Sequence, residues 1–173
     1  MSLPRRAVSR LLPLPVLLLV SGCTMLGYRL GTSLPPDIQV VHVPVFENAT
    51  GEPGLDTEMT RATVQEFQRE GSLSVSDAER SDVTVLVRLN DFRASALRYG
   101  ADAVTAGEEY RFSVTADIQL IRTHSGVEIM RKTVVGEADA DIAGDIVAAK
   151  QRVLPDVAAN LGYLIVAAVV EYW

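Results

Sequence analysis

The chain has one cysteine, Cys23, in 173 residues, so no internal disulfide can hold it together. There is no His-Glu-x-x-His, no cysteine pair, no glycine loop built to cradle phosphate and no Gly-x-Ser-x-Gly elbow. The two histidines are far apart, His42 within a run rich in valine and His124 in a turn, and each reads as a tolerated structural residue. The acidic pairs Glu108-Glu109 and Asp139-Asp141 flank turns and read as solvated ends. With no converging polar groups, the expectation is a protein that is not an enzyme and needs neither cofactor nor metal. No repeat or low-complexity block occurs. The apolar run Leu11 to Val20 is shorter than the ~20 residues a spanning helix needs, and it carries Pro13 and Pro15.

That run has a different use. Arg5, Arg6 and Arg10 precede it, and Val20-Ser21-Gly22-Cys23 follow it. A basic region, an apolar region and small residues at a cleavage point describe a secretory signal peptide. The last four residues resemble a bacterial lipobox, which implies that Cys23 is acylated and becomes the mature N-terminus. Two or more acyl chains give stable anchoring, where one is marginal. Thr24 after the cysteine, rather than Asp, suggests sorting to the outer membrane. The expected organisation is a signal peptide over 1–22, a lipidated linker and lead-in segment over 23–36, and one α/β domain over 37–173.

Without residues 1–22 the balance is 13 basic against 22 acidic groups, a net charge of −9. Such a surface argues against nucleic acid as a partner. The charge is uneven: residues 86–132 hold seven basic and six acidic groups, against six basic and sixteen acidic in the remaining mature residues, which reads either as arginines on the solvated face of long strands or as an anion-facing surface. Within it Arg93, Arg98, Arg131 and Lys132 are the candidates for contacting an anionic ligand. Arg131 and Lys132 are adjacent in a strand and face opposite sides, so at most one of them can join a single-face patch.

Hydrophobic periodicity gives the elements. A strand is expected over Ile38–Phe46, with a free edge or bulge at Pro44. The cluster Glu47 to Gly54 is a turn, in which Asn48 and Thr50 bond local backbone. A helix should begin near Gly54, bury Leu55, Met59, Ala62 and Phe67, and stop at Gly71. Residues 73–75 can add a short strand. Val83, Val85, Val87 and Leu89 alternate with Thr84, Leu86, Arg88 and Asn90, and a bulge near Asp91-Phe92 would carry that strand on toward Tyr99. After a polar loop, Gly100 to Gly107, residues Tyr110, Phe112, Val114, Ala116, Ile118 and Leu120 give six inward positions. His124-Ser125-Gly126 turns the chain into a further strand, Val127 to Val135. The strand from Glu109 to Thr123 would be about 50 Å long, against a domain diameter near 40 Å, so it must twist, bend or project. After Asp139 a helix is expected with Ile142, Ile146, Val153, Val157, Leu161, Leu164 and Ala168 on one face, kinked or interrupted at Pro155. The apolar stretch Leu161 to Val170 reads as a helix buried on a sheet or against a partner. The order β-α-β-β-β-α predicts a two-layer sandwich, two helices on one face of a four-stranded mixed sheet, with a right-handed parallel crossover first.

Three segments carry a family resemblance: Gly27-Tyr28-Arg29-Leu30 after the cysteine, Leu34-Pro35, and Val43-Pro44-Val45-Phe46-Glu47-Asn48-Ala49-Thr50-Gly51-Glu52-Pro53-Gly54-Leu55. They resemble LptE, the lipopolysaccharide-assembly lipoprotein family, with Pro44, Phe46, Asn48, Thr50, Pro53, Gly54 and Leu55 as the matching motif. The resemblance implies a two-layer sandwich and an outer-membrane lipoprotein facing the periplasm. It implies a plug for an LptD-like β-barrel that helps deliver lipopolysaccharide, with lipopolysaccharide itself a potential ligand. The turn Phe46 to Gly51 also resembles the CsgG and LpoB type of envelope lipoprotein, secretion-pore subunits or activators of peptidoglycan synthases. Three consecutive strands after the first helix favour LptE.

Overall fold

A computed structural model describes residues 34–98, 109–141 and 145–173, without the side chain of Arg98. The expected signal peptide, Cys23, the Gly27–Leu30 segment, the loop Gly100 to Gly107 and Ile142 lie outside the described residues.

Among the described residues six strands and two α-helices follow in chain order, with a short 3-10 helix at Ala78–Arg80: β1 (Val40–His42), β2 (Glu47–Asn48), α1 (Leu55–Glu70), β3 (Ser74–Val75), β4 (Val83–Arg98), β5 (Glu109–Arg122), β6 (Glu128–Asp141) and α2 (Ile146–Val170). The sheet order is β3-β1-β4-β5-β6, with β2 also on β4. β1 runs parallel to both β3 and β4, while β4, β5 and β6 form an antiparallel meander. The mixed two-layer architecture is therefore as expected, but the sheet has six strands instead of four. One extra strand is β3. The other arises because the strand expected over Ile38–Phe46 is split into β1 and β2, both on the same flank of β4. Val41 pairs with Val83 and Glu47 with Arg88, so the outer chain spends one more residue than β4 over this interval. The surplus falls around Pro44, which has no N–H to give the ladder.

Helix α1 follows the predicted stripe, with Leu55, Met59, Ala62 and Phe67 buried. It ends at Gly71, whose left-handed backbone lets its N–H donate to the Phe67 carbonyl. Thr60 ties the helix to the preceding strand, its Oγ1 accepting from the Phe46 amide at 3.0 Å.

Two expectations are corrected on the C-terminal side. β6 continues to Asp141 rather than ending at Val135, and α2 accordingly starts at Ile146. Asp145 caps it, its carboxylate accepting the amides of Val147 and Ala148. α2 is one helix with Pro155 inside it. Its buried face is Ala149, Val153, Val157, Ala158, Leu161, Ile165, Val166, Ala168 and Val169, whereas Ile146, expected on that face, is 45% exposed. Leu164 is only half-buried. α2 therefore lies in the core between β6 and α1, as its apolar C-terminal half requires. Two glycines permit this approach. A Cβ on Gly136 of β6 would lie 2.6 Å from Leu161 Cβ, and one on Gly162 would lie 3.2 Å from the α1 backbone at Ala62.

Candidate functional site: the open face of the sheet

Both helices pack on one face of the meander. On that side Val85, Val87, Leu89, Phe112, Val114, Ala116, Ile118 and Leu120 are buried, with Tyr110 half-buried. The other face of β4, β5 and β6 is left to solvent, and the register fixes which side chains share it. Leu86, Gln119 and Arg131 form one row, Arg88, Asp117 and Thr133 the next. Asn90 is the extra residue of a β-bulge. Beyond it the odd positions of β4 take the open face, so Arg93, Ser113 and Glu137 share a row, as do Ser95, Arg111 and Asp139.

These rows are laced with charge-assisted hydrogen bonds. Asp117 accepts from Thr133 Oγ1 at 2.6 Å and from Asn90 Nδ2 at 2.8 Å, bonds that hold its carboxyl below the usual range. Arg111 grips Asp139 with two bonds, Nε at 2.8 Å and Nη2 at 2.9 Å, which lowers the Asp139 pKa and raises that of the guanidinium. Glu128 accepts from both Gln119 and Arg131 at 2.6 Å, and its pKa is lowered, by Arg131 first. Arg93 pairs with Asp91 at 2.5 Å, and Arg88 lies 3.5 Å from Glu47.

The four basic residues singled out in the sequence do not converge. Arg93 stands opposite Ser113 and Arg131 opposite Gln119. Six residues of β5 separate those positions, about 20 Å along the strand. Lys132 stands opposite Ile118 on the helix-covered face, beside Ala168 and Tyr172 near the end of α2. Arg98 is paired with Glu109 at the far end of β4.

The structure instead brings Arg131 together with Arg88, which sequence reasoning did not select. They border an open depression of about 420 Å³ that also takes in Pro44, Val45, Leu86 and Gln119. Val45 is 69% and Leu86 38% exposed, so the depression sets two exposed apolar side chains beside the guanidinium groups of Arg88 and Arg131, with the carboxylates of Glu47 and Asp117 also on its lining. The only signal for it in the sequence was Pro44, whose bulge turns Val45 outward beside β4. The motif residues do structural work nearby. Phe46 and Leu55 are buried, and Gly54 takes a positive φ of 81° just before α1. Asn48 Oδ1 accepts from the amide and hydroxyl of Thr50, and its Nδ2 donates to the Glu52 carbonyl. Lys150 of α2 binds Glu52 at 2.8 Å, tying this turn to the second helix. Among the described residues no group of three or more His, Cys, Asp or Glu could hold a metal ion. His42 Nδ1 lies 3.1 Å from the Ser76 carbonyl, an edge contact.

The family described as LptE, lipopolysaccharide-assembly, matches residues 38–161. No curated protein sequence matches significantly. Solved structures share the fold at low identity. A protein from Xanthomonas campestris is 12% identical with a TM-score of 0.60, covering 81% of this chain and 88% of its own. A hypothetical protein from Chlamydia trachomatis is 10% identical with a TM-score of 0.54, over 78% of this chain and 97% of its own. A minor lipoprotein from Acinetobacter baumannii is 11% identical with a TM-score of 0.51, over 77% of this chain and 93% of its own.

Proposed function

The chain belongs to the LptE lipopolysaccharide-assembly family, and from that premise we propose that it is an outer-membrane lipoprotein anchored through Cys23. Its domain seats as a plug in an LptD-like β-barrel and assists the insertion of lipopolysaccharide. The role is one of binding and assembly.

The observation that carries the ligand part of this reading is the depression between Pro44 and Arg131. A lipid A headgroup offers phosphates beside hydrocarbon, and the depression offers Arg88 and Arg131 beside Val45 and Leu86. Arg presents a planar fork that suits phosphate. Both arginines are near carboxylates at exposed positions, Arg88 near Glu47 and Arg131 near Glu128, and Asp117 lines the same depression. Exposed pairs of this kind contribute little stability, so an incoming phosphate can take over a guanidinium at small cost. Arg93, Arg98 and Lys132 are secondary candidates, distant from this point along the sheet or on its other face.

Two measurements test the reading. Affinity capture of the detergent-solubilised protein from outer membrane should recover a large β-barrel; recovery of a peptidoglycan synthase instead would overturn the plug role. Lipopolysaccharide binding should weaken in Arg88→Ala and Arg131→Ala and fall as salt rises. Binding that is unchanged in both variants and insensitive to salt would remove the depression as the contact.

A further inference from the structure

Among the described residues β6 has a strand on one side only, β5, and its outer edge carries no strand, being met by Asn160 of α2 at the Glu137 amide. We propose that this edge is a self-association surface, on which β6 pairs antiparallel with β6 of a second copy of this chain, centred on Val135. The pairing is independent of the barrel-plug role.

The geometry of the edge comes from one bond. The Glu137 amide donates to Asn160 Oδ1 of α2 at 2.9 Å instead of to β5, so it points outward. In an antiparallel ladder the groups facing a given neighbour alternate, so Arg131, Thr133, Val135 and Asp139 present their amides and carbonyls outward as well. The ladder with β5 is unbroken from Met130 to Asp141, which makes the edge long and regular, the kind that templates another strand.

The side chains select the occupant. With Val135 opposite Val135 of the second copy, Arg131 faces Asp139 of that copy and Thr133 faces Glu137. From Arg131 to Asp139 the strand is basic toward one end and acidic toward the other, so this stretch complements itself when reversed, as a two-fold axis requires; the pairing competes with the exposed bonds Arg131–Glu128 and Arg111–Asp139 within each chain. Val135, 43% exposed, meets its own equivalent at the axis. On the helix-covered side Lys132 falls opposite Ala138 of the second copy, a residue small enough to leave its stem room.

Asn160 stands against this pairing. Its side chain occupies the Glu137 amide, which must be released to the Thr133 carbonyl of the second copy. Asn160 therefore acts as a guard on the edge, keeping the association weak and reversible.

The test uses the full chain carrying Cys23→Ser, so that any introduced thiol is the sole one. Val135→Cys should give a disulfide-linked dimer under mild oxidation, because directly opposite residues in such a pair lie about 5.5 Å apart at Cα, within the range a disulfide spans. Thr115→Cys, on the open face in the middle of the sheet, should not. Val135→Pro removes one outward N–H without touching the β5 ladder and should abolish dimers in sedimentation. Arg131→Asp should weaken association, and adding Asp139→Arg should restore it. Asn160→Ala should tighten association roughly ten- to a hundredfold, since two competing bonds disappear per dimer. If Thr115→Cys links as readily as Val135→Cys, or if the parent chain and Asn160→Ala both stay monomeric at about 100 μM, the proposal is wrong.

Discussion

Replacing Gly136 with alanine places a new Cβ 2.6 Å from the Cβ of Leu161, 2.9 Å from its Cα and 3.0 Å from its amide nitrogen. Carbon atoms rest at about 3.5–4.0 Å, so helix and strand must part by about 1 Å. The atoms in the way are backbone or fixed to it, and no rotamer change relieves them. Nor can α2 withdraw freely: Leu161 is fully buried, and Gly162 beside it is already against the backbone of Ala62 and Thr63. Overpacking of this sort costs about 1–3 kcal/mol. Gly136 is not among the glycines with positive φ, so alanine fits its backbone and recovers about 0.4–1 kcal/mol through the unfolded chain. The net expectation is a loss of about 1–2 kcal/mol, or several degrees in Tm for a domain of this size. Gly162→Ala is the internal comparison. Its Cβ would sit 3.2 Å from the backbone of Ala62 and Thr63, a smaller crowding than at Gly136, and alanine favours the helix by up to about 1 kcal/mol, so that variant should lose less than Gly136→Ala. Urea unfolding followed by circular dichroism reads both, provided the slope with denaturant is unchanged. A Gly136→Ala protein as stable as the parent, or a Gly162→Ala protein less stable than Gly136→Ala, would refute the claim that α2 is seated on β6 at this point.

Phe112→Ala and Ile118→Ala each empty a fully buried position and should cost about 2–5 kcal/mol in the same assay; losses under about 1 kcal/mol would contradict the packing. Asn48→Ala removes the acceptor of two bonds and the donor of a third in the turn before α1, and should lower stability by about 1–2 kcal/mol with the helical signal retained; no loss would mean that Thr50 holds the turn unaided. The Asp117 carboxyl is more acidic in the folded state than its ordinary value of 3.8, so its contribution is complete above that value and disappears as pH falls through the lower folded pKa. The stability gap between the parent and Asp117→Asn should therefore be constant at neutral pH and close in acid below about pH 4; urea midpoints giving a pH-independent gap would contradict this. Cys23→Ser should release the protein from membranes once its signal is removed; a mutant that still fractionates with membranes in the absence of a barrel partner would reveal a second anchor.

Much of the fold was legible because burial on one side leaves a period in the sequence. The α1 stripe and the alternation from Tyr110 to Leu120 both land in the core, and the glycine at position 71 marks a real helix end. The errors have physical causes. Periodicity reports which side is buried but not which strand supplies the ladder, so the interruption at Pro44 became two strands instead of one. β6 appeared to end at Val135 because Gly136, Ala138 and Ala140 give little strand signal; their smallness instead leaves room on the covered face, where α2 reaches Gly136. The basic candidates were harder still. Which face Arg93 takes depends on the single surplus residue Asn90, and which arginines meet across the sheet, as Arg88 and Arg131 do, depends on register across three strands. Neither is encoded locally.

The sheet also joins two kinds of pairing with different chain separations. β4, β5 and β6 are consecutive neighbours, whereas β1 reaches β4 only after the whole of α1 and β3 have intervened, His42 lying beside Thr84. Closing the longer loop costs more chain entropy before any contact rewards it. The meander is thus the part able to organise early during refolding, with the N-terminal strands docking onto it afterwards. Native-state amide exchange should follow the same division. Protection should be highest in the middle of β5, bonded on both sides, and lowest in β2 and β3, whose two-residue ladders can open while the meander stays closed.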